Sequence, residues 1–262
     1  MKRKSSLVRK NAKRQQVKKQ IKRLATMPNI DAENVINRMR EKDLQIPCNT
    51  FNKIQKKKKE AQVYYLLTGL LQWFECDEGD VQDEVLFFKT IYFLDQVLVK
   101  AKTLAVKKME EYCVVSFIIQ WKLERIQVNP GFDEAAEFLE SYRQKRCSEL
   151  KHSLLLMELE VLHLMNYNLY TITPFDFVKT FMCTQGCIYT YECEYLFEKK
   201  ASDTLKRIIK SSEYNLRRFK AETIAYLIIY LVRGREFGPA KQYYTATHDV
   251  SIETVLQDIK VN

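Results

Sequence analysis

The sequence contains few residues that turn or break a chain, with six Gly and five Pro among 262 residues. Chains built from many short strands need such residues at their frequent turns, so this scarcity argues against a turn-rich β architecture. Long helices with brief connections fit the composition better. We therefore predict an all-α protein, long enough to form two units that each bury a core.

Long hydrophobic runs are also missing. A helix that crosses a bilayer needs about 20 consecutive apolar residues. The longest candidate, from Ile224 to Val232, is much shorter. We therefore expect no membrane partner.

Cysteine patterns that signal disulfides or zinc are absent. The seven Cys are an odd number without a repeating spacing, and no apolar signal peptide precedes them, so we expect a reducing intracellular compartment. Cys183, Cys187 and Cys193 lie close in sequence but lack Cys-x-x-Cys spacing and a neighbouring His. Because structural zinc normally takes four such ligands, we interpret them as core or loop thiols and predict no metal and no cofactor.

Catalytic signatures are missing as well. His152, His163 and His248 stand apart from any nucleophile motif, and the chain has no Gly-rich phosphate loop and no paired catalytic carboxylates. We predict no catalytic residues and no enzymatic activity.

The positive charge is concentrated at the start of the chain. Residues 1–23 hold eleven Lys or Arg and no acid, while the formal net charge of the whole chain is +10, so the remainder is close to neutral. A neutral body is not built to bind nucleic acid. We interpret residues 1–30 as a disordered basic tail that directs the protein to the nucleus, with a cytoplasmic fraction also expected; a solvated leader that only aids solubility is the alternative. The nuclear-targeting residues are Lys2, Arg3, Lys4, Lys18, Lys19, Lys22 and Arg23.

Apolar periodicity and capping signals predict a series of helices. A short helix runs from Asp31 to Pro47. The next five span about 53–74, 84–100, 104–126, 133–142 and the segment that carries Glu158. A further five follow, at 174–183, 191–212, 219–233, 238–244 and 251–260.

The stretch "TITPFDF" marks the division between the two groups of helices. Thr173 is a good N-cap, Pro174 suits the first helical position, and Asp176 completes a capping box. We predict an N-terminal unit over 31–172, which includes the short helix, and a C-terminal unit over 173–262. Each should bury one central apolar helix, at Tyr112 to Trp121 and at Ile224 to Val232 respectively.

Two charged residues interrupt apolar helix faces. Glu158 shares a helical face with Leu154, Leu155, Val161, Leu162 and Met165. Lys122 is likewise in register with Val114, Val115, Ile118 and Ile119. An unpaired charge inside a core is costly. Each residue therefore lies at the margin of its stripe, pairs with the other inside the fold, or is held for a partner molecule.

Four segments resemble motifs of the cyclin family, in the order and spacing of that family. "MELEVLHLMNYNLYTITPFDF" resembles the last helix of a cyclin box and the entry to the second repeat, with the Thr-Pro-x-Asp-Phe order of D-type cyclins. "YFLDQVL" resembles "NYLDRFL", "FIIQWKLERI" resembles "LIASKYEEI", and "FKAETIAYLIIYLV" resembles a helix of the second repeat. The likeness covers about residues 53–259 and implies two tandem five-helix cyclin-like repeats.

The resemblance also implies a kinase partner and its contact residues. Cyclins use an acid on the last helix of the box and a Lys at the end of the third helix to contact a cyclin-dependent kinase, and Glu158 and Lys122 fall on these positions. The family's substrate-docking patch falls on Leu66, Leu70 and Trp73, although Leu67 replaces its Arg. We therefore expect a regulatory subunit that activates such a kinase in cell-cycle control, as a heterodimer. The alternative is a cyclin-fold scaffold in transcription, similar to general transcription factors or transcriptional-kinase cyclins, whose basic tail contacts nucleic acid.

Overall fold

The computed structural model describes residues 29–42, 60–74, 81–101, 106–124, 131–184, 191–210 and 220–233. Over these ranges the chain is all-helical and contains no strand, which confirms the predicted all-α class. Residues 1–28 of the expected disordered tail and the last two expected helices, at 238–244 and 251–260, lie outside the described residues, whereas Asn29 and Ile30, also assigned to the tail, begin the first described helix. Within the same ranges, no helix has both the length and the apolar composition needed to cross a membrane.

The described residues form nine helices in chain order. Their bounds are α1 Asn29–Lys42, α2 Glu60–Trp73, α3 Val81–Lys100, α4 Val106–Glu124, α5 Phe132–Arg143, α6 Leu150–Leu164, α7 Pro174–Thr184, α8 Tyr191–Lys210 and α9 Ala221–Arg233. Helix α1 corresponds to the helix predicted from Asp31 to Pro47, of which residues 43–47 lie outside the described residues.

Helices α2 to α6 form a unit around α4. All ten residues from Tyr112 to Trp121 are buried, as predicted for a central helix. They are buried because α4 is apolar on nearly every face and contacts α2, α3 and α6. Each large side chain removed from water contributes about 1.5–3 kcal/mol. Phe117 and Trp121 also pack against Phe74 at the end of α2.

The predicted capping box at the start of α7 is confirmed. The backbone N–H of Thr173 donates to Asp176 Oδ2 over 2.8 Å. In return, the Asp176 N–H donates to Thr173 Oγ1 over 3.3 Å. Pro174 is the first residue of α7, where its missing N–H leaves no hydrogen bond unmade. These local interactions fix the point at which the chain passes from helices α2 to α6 into α7.

Helices α7, α8 and α9 pack together. Phe181 of α7 stacks on Tyr226 of α9 with ring centroids 4.6 Å apart. The predicted central helix of this group is buried from Ile224 to Ile229, whereas Tyr230 to Val232 are half-buried.

Helix α1 packs against the C-terminal helices. It contacts α7, and its Met39 is buried. The Arg40 guanidinium donates to both carboxylate oxygens of Glu222 at the start of α9, over 2.6 to 3.1 Å. The sequence assigned this helix to the N-terminal unit. In the described residues its contacts are with α7 and α9, through the apolar side of α7 and the buried Glu222 carboxylate.

Candidate partner interface

Lys122 and Glu158 pair with each other across α4 and α6. Lys122 Nζ donates to Glu158 Oε1 over 2.6 Å. The Lys122 side chain is 36% exposed and that of Glu158 17%, so the pair lies at the rim of the unit rather than in its core. Lys122 is also held from α5, since its Nζ lies 5.0 Å from the centre of the Phe132 ring. Of the three interpretations open from the sequence, mutual pairing at the margin is thus observed. A role in binding a partner stays a prediction.

The core face of α6 differs from the predicted stripe. Leu154, Val161 and Met165 are buried as expected, but Met157 completes the face, and Leu155 is 38% exposed. The prediction was wrong for Leu155 because α6 carries leucines around most of its circumference. Periodicity alone could not indicate which of them face α4 and α5, the helices against which α6 packs.

The solvent side of α6 therefore carries exposed leucines, among the exposed polar side chains of His152, Glu160 and His163. Leu155, Leu156 and Leu159 are exposed by 38%, 54% and 53%. We call these three residues the outer leucine face. They follow helical spacing on the side opposite the core, and Leu155 and Leu159 lie one turn or less from Glu158. A helix with several leucines on its exposed side often packs against another surface there.

Two further large apolar side chains are exposed near the ends of α4 and α6. Leu123, next to Lys122 in sequence, is 49% exposed. Tyr167, just after α6, is 63% exposed and contacts the His163 ring edge-on at 5.5 Å. Its φ of 57° is in the left-handed region, which is uncommon for a bulky residue. Sequence analysis missed the outer leucine face and Tyr167. The leucines on every side of α6 were the sequence signal that could have indicated this exposed face.

Polar contacts fix α6 relative to its neighbours. The Arg143 guanidinium of α5 donates to Glu110 and Glu111 of α4, and the Ser153 hydroxyl of α6 donates to Glu111 over 3.1 Å. The Tyr112 hydroxyl donates to Glu160 of α6. Burial, together with this hydrogen bond, raises the pKa of Tyr112. The outer leucine face is thus presented by a rigid helix.

A second group of charges lies where the two sets of helices meet. The Lys89 ammonium of α3 donates to Glu124 at the end of α4 and faces Asp176 of α7. Burial raises the pKa of Asp176, while Lys89 opposes that rise. The pKa of Lys89 is itself raised, because its acidic neighbours outweigh the effect of burial.

The residues predicted to form a docking groove do not share one surface. Leu66 and Leu70 are fully buried in the core, whereas Trp73 is 45% exposed. The Trp73 ring contacts Phe138 of α5 edge-on at 5.7 Å. Leu66 and Leu70 point inward because α2 packs its apolar face on α3 and α4. Trp73 is the accessible member of the three.

Other predicted sites fall partly outside the structure. The nuclear-targeting residues lie in 1–23, outside the described residues, as do the side chains of Cys183, Cys187 and Cys193. In the described ranges no cluster of His, Cys, Asp and Glu could hold a metal ion. Cys113 is buried and Cys147 exposed, and neither is in a disulfide.

Comparison with known protein families and with curated proteins finds no match for this chain.

Proposed function

We propose that this protein is a non-catalytic regulatory subunit that binds and activates a cyclin-dependent serine/threonine kinase in the nucleus. In this proposal its helices form two tandem five-helix cyclin-like repeats preceded by a basic disordered tail. The observation that carries the proposal is the outer leucine face of α6 beside the Lys122 and Glu158 pair. The sequence resemblance to cyclins indicates the class of partner, a cyclin-dependent kinase, that would cover the outer leucine face.

The energetic argument begins with the exposed leucines. Fully burying one such side chain contributes about 1.5–3 kcal/mol, and interfaces concentrate this gain in a few central apolar residues. Leu156 and Leu159 are half exposed on a helix already packed on its other side, so a partner could bury them with little rearrangement. Tyr167 would extend the same contact, since aromatic residues are enriched at interfaces.

The charged pair would orient the partner. Lys122 and Glu158 are partly exposed and already aligned by their mutual hydrogen bond, so each keeps capacity for a further contact. Charges at the edge of an apolar contact contribute more to specificity and register than to affinity. A polar partner group that meets this pair would set the position of the outer leucine face on the kinase.

The mechanism requires no chemistry from this chain. Catalysis in protein kinases depends on positioning: a Lys must pair with a Glu of the mobile C-helix before phosphate is transferred. A rigid helical surface that binds the active arrangement more tightly than the inactive one shifts the population towards activity. The contacts that hold α6 on α4 and α5 supply this rigidity.

The decisive experiment is purification of the tagged full chain from cells, followed by a kinase assay on the eluate. We expect co-purified kinase activity that survives moderate salt, because an apolar contact is less salt-sensitive than phosphate binding. Leu159→Ser should abolish it. Leu196→Ser is the matched control, because Leu196 is 55% exposed on α8 and Leu159 is 53% exposed on α6.

Two results would contradict the proposal. Equal kinase recovery with both variants would mean that the outer leucine face does not bind the partner. Recovery of nucleic acid or polymerase subunits without kinase would favour a cyclin-fold scaffold in transcription.

A further inference from the structure

Tyr170 lies in the segment between α6 and α7, where the chain is not helical from 168 to 173. Its side chain is 58% exposed. Gln120 of α4 holds the segment in place, because its side-chain amide donates to the Leu169 carbonyl over 3.1 Å. Thr171 to Thr173 are buried, so Tyr170 is the last accessible residue before α7.

Two ammonium groups from different helices face the Tyr170 ring. Lys42 Nζ, at the end of α1, lies 4.6 Å from the ring centre, and Lys89 Nζ lies 5.9 Å away. Lys89 already donates to Glu124 and faces Asp176. No acid among the described residues forms a hydrogen bond or ion pair with Lys42. Lys42 is therefore the cation available to a new negative charge at this position.

We propose that Tyr170 is a phosphorylation site and that its phosphate fastens α1 onto the segment between the two groups of helices. The co-reactants are ATP and a protein-tyrosine kinase. The phenol oxygen attacks the γ-phosphorus, the bond from that phosphorus to the β,γ-bridging oxygen breaks, ADP leaves, and the phenolic proton passes to the kinase's base. The inference does not depend on the proposed function.

The physical consequence follows from charge. A phosphotyrosine carries nearly two negative charges at neutral pH, and its three oxygens accept strong hydrogen bonds from ammonium groups. Lys42 reaches it with a small rotation, since the ammonium already lies over the ring that carries the hydroxyl. Lys89 contributes less, because Glu124 competes for its ammonium. The new contact adds to the Arg40 and Glu222 pair that already holds α1.

The environment of Tyr170 differs from that of the other exposed tyrosines. Tyr65, Tyr142 and Tyr195 lie within helices, whose backbone is committed to internal hydrogen bonds. Tyr167 is equally exposed and lies only three residues earlier, but its ring faces His163 rather than a lysine. Tyr167 is therefore the closest internal control.

The first experiment incubates the full chain with ATP and the catalytic domain of a non-receptor tyrosine kinase, then measures phosphate at each tyrosine by peptide mass spectrometry. We expect higher occupancy at Tyr170 than at Tyr167. Occupancy at Tyr167 with none at Tyr170 would overturn the assignment. Tyr170→Phe, which keeps the ring over which Lys42 lies, should remove the signal without unfolding the chain.

The second experiment measures backbone hydrogen exchange across 29–42 before and after phosphorylation. If the phosphate holds α1 in place, hydrogen exchange of the α1 backbone amides should slow about three- to tenfold, as expected for one or two charge-assisted hydrogen bonds. Lys42→Ala should abolish the slowing, and Arg38→Ala, which removes an exposed cation from the same helix, should not. No slowing in the phosphorylated chain, or equal slowing in the Lys42→Ala variant, would refute the role of the phosphate.

Discussion

Exchanging the charges of Lys122 and Glu158 tests whether this ion pair only stabilises the fold or also contacts a partner. In the double variant Lys122→Glu with Glu158→Lys, an ion pair of opposite direction replaces the present one. The pair joins α4 to α6 at the rim of the fold, where both side chains have room to adjust. A pair that only connects two helices should tolerate the exchange, whereas a pair that also meets a partner should not.

The expected magnitudes follow from exposure. Pairs of partly exposed charges contribute about 0.5–1 kcal/mol, far below the roughly 3–5 kcal/mol lost when one partner of a buried pair is removed. Glu158→Ala should therefore cost about 0.5–1 kcal/mol. Lys122→Ala should cost slightly more, because it also removes the contact with the Phe132 ring. For a chain of this size, about 1 kcal/mol corresponds to about 2–4 °C in melting temperature.

Melting and kinase activation are measured on the same proteins. Each single charge reversal should lower the melting temperature, and the double exchange should restore most of the loss. Under the proposed function, activation should stay impaired in the double variant, since the partner then meets reversed charges. The reasoning is refuted if the exchange restores activation together with stability. A loss of more than about 3 kcal/mol for either alanine variant would instead show that the pair behaves as buried.

Three further predictions concern other parts of the chain. Tyr167→Gly should raise stability by about 0.5–1 kcal/mol in thermal melts, because Gly adopts the positive φ without strain, and should weaken partner binding. Burial raises the pKa of Asp176 above its unfolded value. Its folded form thus binds a proton more tightly, and the stability of the natural chain relative to Asp176→Asn should increase as pH falls from 7 to 4 in denaturant titrations. Deleting residues 1–23 should move a fluorescently tagged protein from nucleus to cytoplasm without changing kinase binding in vitro; an unchanged location would contradict the import proposal.

Several structural elements could be predicted from local patterns in the sequence. The capping box of Thr173 and Asp176 involves neighbours three residues apart, so residue types alone specify its hydrogen bonds. The central helix from Tyr112 to Trp121 was recognisable because nearly every face is apolar, and such a helix has to be buried. Pairing of Lys122 with Glu158 was foreseen only as one of several possibilities, since it depends on how α4 and α6 pack.

Ion pairs between residues far apart in the sequence could not be predicted in this way. The contact of Arg40 with Glu222 joins residues 182 positions apart, and neither position carries a local pattern that names the other. The same holds for Lys206 of α8 and Glu84 of α3, which pair over 2.8 Å across the two groups of helices. The contacts of α1 with α7 and α9 therefore have no signal in the order of residues along the chain.

The error on α6 has a physical cause that bears on function. Periodicity identifies a core face only when the opposite face is polar, and on α6 both faces carry leucines. One set, with Leu154 and Val161, is fully buried, whereas packing against the other described helices leaves Leu156 and Leu159 exposed. An exposed apolar side chain does not stabilise the isolated chain. Several of them on one helix favour association with another protein. The property that made the core face ambiguous in sequence is thus the one expected of a helix that packs on its own core and on a partner at once.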